Sequence, residues 1–225
     1  GPGTAVFSPN PNTPNASVVV SAYGTYTFTW TEVNGTCSNN ASTNVNFLQV
    51  PVANAGTDGS ECDMDFILNA IPGIGTGTWT KLNGPGNAIF SPDPNQPGAK
   101  VTVDQFGTYD FVWTVVNSTC QSTDEVRVIF RNLPSISAGR DTIICEESSV
   151  RLQATGSGSF LWAPATLVNN PIIPNPIASP DKTTTYKVTL TDQFGCTNSD
   201  DVKVEVWKNP GANAGPDRVL EYLFG

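Results

Sequence analysis

The chain has no histidine among its 225 residues. That absence removes Ser-His and Cys-His nucleophile arrangements and most zinc sites. Charged residues are scarce at 14%, and the balance is acidic, with net charge −9 and pI near 4.3. The basic surface that a phosphate backbone requires is missing, which excludes nucleic acid as a partner. An acidic balance suits a secreted, soluble surface but names no ligand. No apolar run approaches the roughly 18 residues of a membrane-spanning helix, so the chain reads as not membrane-spanning. No signal peptide is visible, and no window shows helical spacing. Gly73-Ile74-Gly75-Thr76-Gly77 precedes a strand and lacks a following Lys-Ser/Thr, which excludes a phosphate loop. Carboxylates recur in step with a repeat and sit near turns, where they shape backbone. The chain reads as no enzyme.

What the sequence does contain is repetition. Gly1–Cys37 laid over Gly84–Cys120 gives 23 identities in 37 positions without a gap, fixing a period of 83 residues. Ala55-Gly56-Thr57-Asp58 returns as Ala138-Gly139-Arg140-Asp141 and as Ala214-Gly215-Pro216-Asp217. Cys62 and Trp79 return as Cys145 and Trp162. From Cys120 to Cys196 the step shortens to 76. Each Ala-Gly-x-Asp follows a proline (Pro51, Pro134 or Pro210), which marks the module junctions. The expected modules are the C-terminal part of one repeat (1–52), a complete repeat (53–135), a complete shorter repeat (136–211) and the start of another (212–225). A chain that opens in mid-repeat reads as an excerpt of something longer.

The modules read as all-β, as tandem immunoglobulin-like β-sandwiches arranged in a rod. Tyr109, Phe111, Trp113 and Val115 alternate with polar or smaller residues, the period of a strand with one buried face. Val126, Val128 and Phe130 repeat the alternation one turn later, and Tyr186, Val188, Leu190 and Val202, Val204, Val206 do so in the shorter repeat. Upstream lie Phe66–Ala70 or Val150–Ala154, a strand carrying Trp79 or Trp162, and Val101–Val103. Six to seven short strands per module, punctuated by Gly and Pro, suit a sandwich. Trp30, Trp79, Trp113 and Trp162 fall in phase with the core. Trp207 is out of phase and adjoins Lys208-Asn209-Pro210; packing at a module junction, ligand binding and simple exposure are its three readings.

Domains of about 80 residues sit near the lower limit for one independent core and often carry disulfides. Each full module has an early cysteine (Cys62, Cys145) and a late one (Cys120, Cys196). The simplest pairing is Cys62–Cys120 and Cys145–Cys196, leaving Cys37 as an unpaired late cysteine. Such a loop would contribute about 4 kcal/mol by chain-entropy reasoning and implies an oxidising compartment. Spacing alone does not say whether the two positions share one end of a sandwich. No cofactor is expected unless calcium, whose oxygen ligands Asp58, Asp141 and Asp217 could begin to supply at module junctions. The alternative is an aspartate capping its own turn.

Ala138-Gly139-Arg140-Asp141-Thr142-Ile143-Ile144-Cys145-Glu146, then Val150-Arg151-Leu152-Gln153-Ala154, resembles a known repeat pattern, as does Thr184–Asp192 followed by Phe194-Gly195-Cys196. Both resemble the immunoglobulin-like, PKD-like (polycystic kidney disease) repeats of giant SprB-like gliding-motility adhesins of Bacteroidota, which are type IX secretion cargo. The resemblance covers essentially the whole chain. It implies export to the cell surface, attachment to the outer membrane through distant regions, and a filament that touches the substratum. Implied partners are neighbouring repeats of the same chain, an extracellular surface or polysaccharide, and the secretion and gliding machinery. It also implies O-glycosylation at Thr142, where Asp141-Thr142-Ile143 fits the phylum's motif. The function so implied is a semi-rigid, disulfide-stabilised adhesin stalk. The alternatives are spacer modules of a secreted hydrolase and calcium-rigidified binding modules.

Overall fold

In a computed structural model of the chain, residues 1–218 are described. The expected further repeat at 212–225 therefore lies partly outside the described residues. The chain divides into two compact units, Gly1–Arg131 and Asn132 onward. Apart from one 3-10 turn (Ala165–Leu167), the described elements are all strands.

The first unit opens with two hairpins. β1 (Ala5–Ser8) pairs with β2 (Ser17–Val20), and β3 (Gly24–Asn34) with β4 (Cys37–Phe47), both antiparallel. Seven strands follow: β5 (Gly59–Glu61), β6 (Asp65–Ile67), β7 (Thr76–Asn83), β8 (Ala88–Ser91), β9 (Lys100–Val103), β10 (Gly107–Asn117) and β11 (Cys120–Phe130). They make a four-stranded sheet ordered β5-β11-β10-β7 and a three-stranded sheet ordered β6-β9-β8. The alternation in β10 is what builds the core. Tyr109, Phe111, Trp113 and Val115 are buried on one face, while Thr108, Asp110, Val112 and Thr114 lie on the other. Val126, Val128 and Phe130 of β11 join the buried face, and Leu68, Val101 and Val103 close it from the second sheet.

Two features are hallmarks of an immunoglobulin-like sandwich. Trp79 on β7 stands opposite Trp113, with ring centroids 5.0 Å apart. Tyr109, near the start of β10, donates its hydroxyl to the Gln105 carbonyl four residues upstream at 2.9 Å, a tyrosine corner. The same hydroxyl accepts the buried Gly86 N–H at 3.0 Å.

The second unit repeats the plan with shorter pieces: β12 (Ile136–Ser137), β13 (Thr142–Cys145), β14 (Val150–Arg151), β15 (Thr155–Gly156), β16 (Ser159–Ala163), β17 (Ile177–Ala178), β18 (Thr184–Thr191) and β19 (Thr197–Trp207). The main sheet runs β13-β19-β18-β16, matching β5-β11-β10-β7 strand for strand. Trp162, Tyr186, Val188, Val202 and Val204 fill its core. Here the Tyr186 hydroxyl turns to the Leu167 carbonyl at 3.3 Å.

The core-facing expectation holds for Trp79, Trp113 and Trp162, each 1% exposed, but Trp30 is 38% exposed. The cause is local. Among the described residues no strand pairs with β3 as β7 pairs with β10, so Trp30 lacks the flanking neighbour that Trp79 gives Trp113.

Candidate functional site

In its first two copies the recurrent Ala-Gly-x-Asp ties one part of a repeat to another. Ala55 and Ala138 are each 1% exposed. Gly56 and Gly139 take φ of +88° and +92°, and a Cβ there would lie 2.5 Å from the Asn69 carbonyl oxygen or 2.9 Å from that of Gln153. Only glycine meets both demands. Asp58 Oδ1 accepts the Arg127 N–H at 2.8 Å, and Asp141 Oδ1 accepts the Lys203 N–H at 2.9 Å. Partner carboxylates reach back: Asp124 accepts from Ala55 N and Asp200 from Ala138 N, both at 2.8 Å. Each motif thus ties the start of a repeat to its last strand, next to the parallel pairs β5–β11 and β13–β19. The bond reaches across the sheet; neither aspartate caps its own turn. Asp217 is exposed. Among the described residues, no group of three or more His, Cys, Asp or Glu side chains could hold a metal ion.

The expected disulfide pairing is overturned. Cys37, Cys120 and Cys145 are free thiols, while Cys62 and Cys196 are each disulfide-bonded. Register gives the reason. β5 runs parallel to the far end of β11, with Glu61 beside Phe130, whereas Cys120 opens β11 ten residues earlier. Ten residues of strand span roughly 33 Å, and a disulfide needs Cα atoms within about 7 Å. Likewise Cys145 pairs with Trp207 at the end of β19, while Cys196 immediately precedes its start. Early and late cysteines of one repeat sit at opposite ends of the sandwich.

These ends define the places where repeats receive and release the chain. At the upstream end of 53–131, Asn117 Nδ2 donates to the Gln49 carbonyl at 2.7 Å, and Pro51 is buried. At the upstream end of the second unit, Asn198 Nδ2 donates to the Pro134 carbonyl at 3.0 Å. Downstream, Arg131 N–H donates to Glu61 at 2.8 Å, and Asn209 Nδ2 to Glu146 at 3.2 Å. Pro210 is exposed. Trp207 is 58% exposed and donates Nε1–H to Glu205 Oε1 at 2.9 Å. Thr142 opens β13, half-buried and opposite Val204.

The hairpin asparagines that hold the linkers carried no signal at the sequence level, because one amide among many Asn-rich turns looks like any other. The outer faces of the long hairpins also escaped notice. On β3–β4, Thr27 donates to Asn44 at 2.7 Å and Thr29 bonds Ser42 at 2.8 Å, forming an uncharged ladder of hydroxyls and amides. The matching face of β10–β11 is charged instead. Arg127 Nε lies 2.8 Å from Asp110 Oδ1, which raises the guanidinium and holds the carboxyl below its ordinary range. A hydrogen bond from Thr102, then one from Lys100, does the same for Asp65; Asn87 does so for Asp104, and Trp207, then Lys203, for Glu205. Burial, then Asp181, raises the Tyr186 phenol.

Two cavities open on residues 1–47. One of about 590 Å³ is lined by Phe7, Val18, Phe28, Trp30 and Val45, and one of about 790 Å³ by Trp30, Glu32, Asn34 and Cys37. The first is the uncovered core face of the opening hairpins.

The fold and its ends describe tandem immunoglobulin-like sandwich modules. Solved structures are similar to this chain at low identity. Drosophila OTK extracellular domains 3–5 match at 12% identity over 80% of this chain and 70% of that one, with TM-score 0.35. The insect immune protein hemolin matches at 11% over 80% and 56%, with TM-score 0.40. Sidekick-1 immunoglobulin domains 1–5 match at 11% over 85% and 48%, with TM-score 0.32. The chain spans about half the length of the latter two. No family model matches the sequence, and no curated protein is similar to it.

Proposed function

We propose that the chain is a repeat segment of a long secreted, surface-attached adhesin filament. In this reading its modules form a semi-rigid stalk that presents or distributes adhesive contacts, in cells that glide. The observation that carries the reading is the array itself. Repeats of related sequence follow one another along the chain through linkers of a few proline-containing residues, and hairpin asparagines bond those linkers from the next module. Proline limits backbone freedom, and few linker residues remain to bend. Many weak contacts along such an array would add by avidity. The uncharged hydroxyl and amide ladder on β3–β4 offers hydrogen bonds suited to a polysaccharide or hydrated surface. Among the described residues no helix is long and apolar enough to cross a membrane, and anchorage belongs to other parts of the parent protein. O-glycosylation at Thr142 belongs to the same reading.

The test is an antibody raised against residues 53–211. It should label intact producing cells along surface filaments and reduce their attachment to a polysaccharide-coated surface. Recovery of the epitope only on a released polypeptide with hydrolase activity would replace the stalk with an enzyme spacer. In this reading Asp58 and Asp141 act through the backbone amides they bond, with no calcium ion taking part. Melting should be the same in calcium and in chelator; a shift of several degrees would restore calcium as a rigidifying ion.

A further inference from the structure

The open face of residues 1–47 has a covered counterpart within the same unit. β1, β2, β3 and β4 correspond to β8, β9, β10 and β11 at a step of 83 residues. In 53–131 three more strands complete the set: β7 pairs with β10, β5 with β11 and β6 with β9. Among the described residues β3, β4 and β2 have no such neighbours, because β1-β2 and β3-β4 are two-stranded sheets. Each therefore keeps an edge of unpaired backbone N–H and C=O groups. The cavity of about 590 Å³ on this face is lined by Phe7, Val18, Phe28, Trp30 and Val45. Their identical counterparts Phe90, Val101, Phe111, Trp113 and Val128 pack in the core that Leu68 and Trp79 complete.

We propose that this face is an acceptor site for the front half of a repeat supplied by another polypeptide. The incoming segment adds strands to β3, β4 and β2 in the register of β7, β5 and β6. The chain's own front half, residues 53–83, is engaged in its own core, so the occupant is a further segment of that type. The covered copy states its chemistry. A tryptophan in the place of Trp79 comes to lie opposite Trp30, as Trp79 lies opposite Trp113. A glycine two residues earlier is required, because a Cβ at Gly77 would come within 1.8 Å of the Trp113 ring. Main-chain hydrogen bonds along the open edges give affinity, and the Gly-x-Trp pattern gives selectivity.

One residue departs from the covered copy and sets the strength of the site. Glu32 stands where Val115 is buried, and it accepts Trp30 Nε1–H at 3.2 Å. Covering the face takes this carboxylate out of water, which opposes binding. The site joins one polypeptide to another without a covalent bond, and it does not depend on what the array adheres to.

The test adds a synthetic peptide of residues 53–83, carrying Cys62→Ser, to the full chain and follows amide exchange by mass spectrometry. Exchange in 24–47 should slow by about tenfold or more, while 107–130 stays unchanged. Peptides with Gly77→Val or Trp79→Ala should protect no better than a scrambled one. In the full chain Glu32→Val should tighten binding of the unaltered peptide by about tenfold. Unchanged exchange in 24–47, or equal protection by the Gly77→Val peptide, would overturn the proposal. Sedimentation of the chain alone separates the other occupants. A dimer whose β3–β4 amides are already protected would give the face to a second copy, and a monomer so protected would give it to the chain itself; either result overturns the proposal. If the peptide precipitates, the same residues joined directly ahead of Gly1 decide, since Asn83 runs into Gly84 in the same way. Exchange in 24–47 should slow there too, and unchanged exchange would overturn the proposal.

Discussion

Residues 24–47 and 107–130, identical at half of their positions, fold into the same hairpin of two eleven-residue strands, yet one is an open face and the other the centre of a core. Their aromatic clusters superimpose in detail. Tyr26 and Phe28 stack at 6.0 Å and 9°, Tyr109 and Phe111 at 5.9 Å and 7°. Phe47 and Phe130 each meet the tyrosine edge-on, at 5.5 and 5.4 Å. Both tyrosines donate to the carbonyl four residues upstream at 2.9 Å. Burial nonetheless diverges. Trp30 is 38% exposed against 1% for Trp113, and Val45 37% against 0% for Val128. Hairpin register and the tyrosine corner are therefore local products of the repeat's back half. The core is a joint product that also needs β5, β6 and β7.

Substitutions that remove the joint product should separate the copies most. Trp113→Ala should destabilise residues 53–131 by about 4 kcal/mol, and Trp30→Ala should cost under about 1 kcal/mol, read from urea denaturation of each variant. Gly77→Ala should follow. Its Cβ would meet the Trp113 ring at 1.8 Å on the strand that covers it, an overpacking cost of about 1–3 kcal/mol. Tyr109→Phe should cost about 2 kcal/mol, because it also strands the buried Gly86 N–H; Tyr26→Phe should cost about 1 kcal/mol or less. Equal losses in the two copies would erase the distinction.

The smallest effect is that of pH. Asp65, Asp104 and Asp110 are held below the ordinary carboxylate range in 53–131, and Glu205 in the second unit, whereas residues 1–47 contain only Glu32 as an acid. A depressed carboxyl stabilises fully above its unfolded pKa near 4, and that contribution is lost as pH falls through the lower folded value. Melting temperatures should stay level from about pH 5 to 8 and drop below about pH 4. The raised Tyr186 phenol adds a decline above about pH 10, where the unfolded phenol ionises first.

Much of the fold was legible because the repeat prints its own alignment. The alternation from Tyr109 to Val115 gave β10 and its buried face, and Val126, Val128 and Phe130 gave β11. The Ala-Gly-x-Asp motif was visible, but its work was not. Its hydrogen bonds run to amides 62 to 69 residues away, a distance no local pattern encodes. The cysteines misled for a related reason. Spacing along the chain does not say which end of a strand a residue occupies, and the parallel pairing of β5 with the last residues of β11 decides it. Trp30 was in phase with a core, but phase reports the face of a strand and not whether a second sheet covers it.

Native-state hydrogen exchange of the whole chain tests most directly the claim that the core is a joint product of both halves of a repeat. Amides of β10 and β11 should exchange only by unfolding of the sandwich, and those of β3 and β4 at least a hundredfold faster despite their equivalent register. Equal protection in the two hairpins would contradict the account.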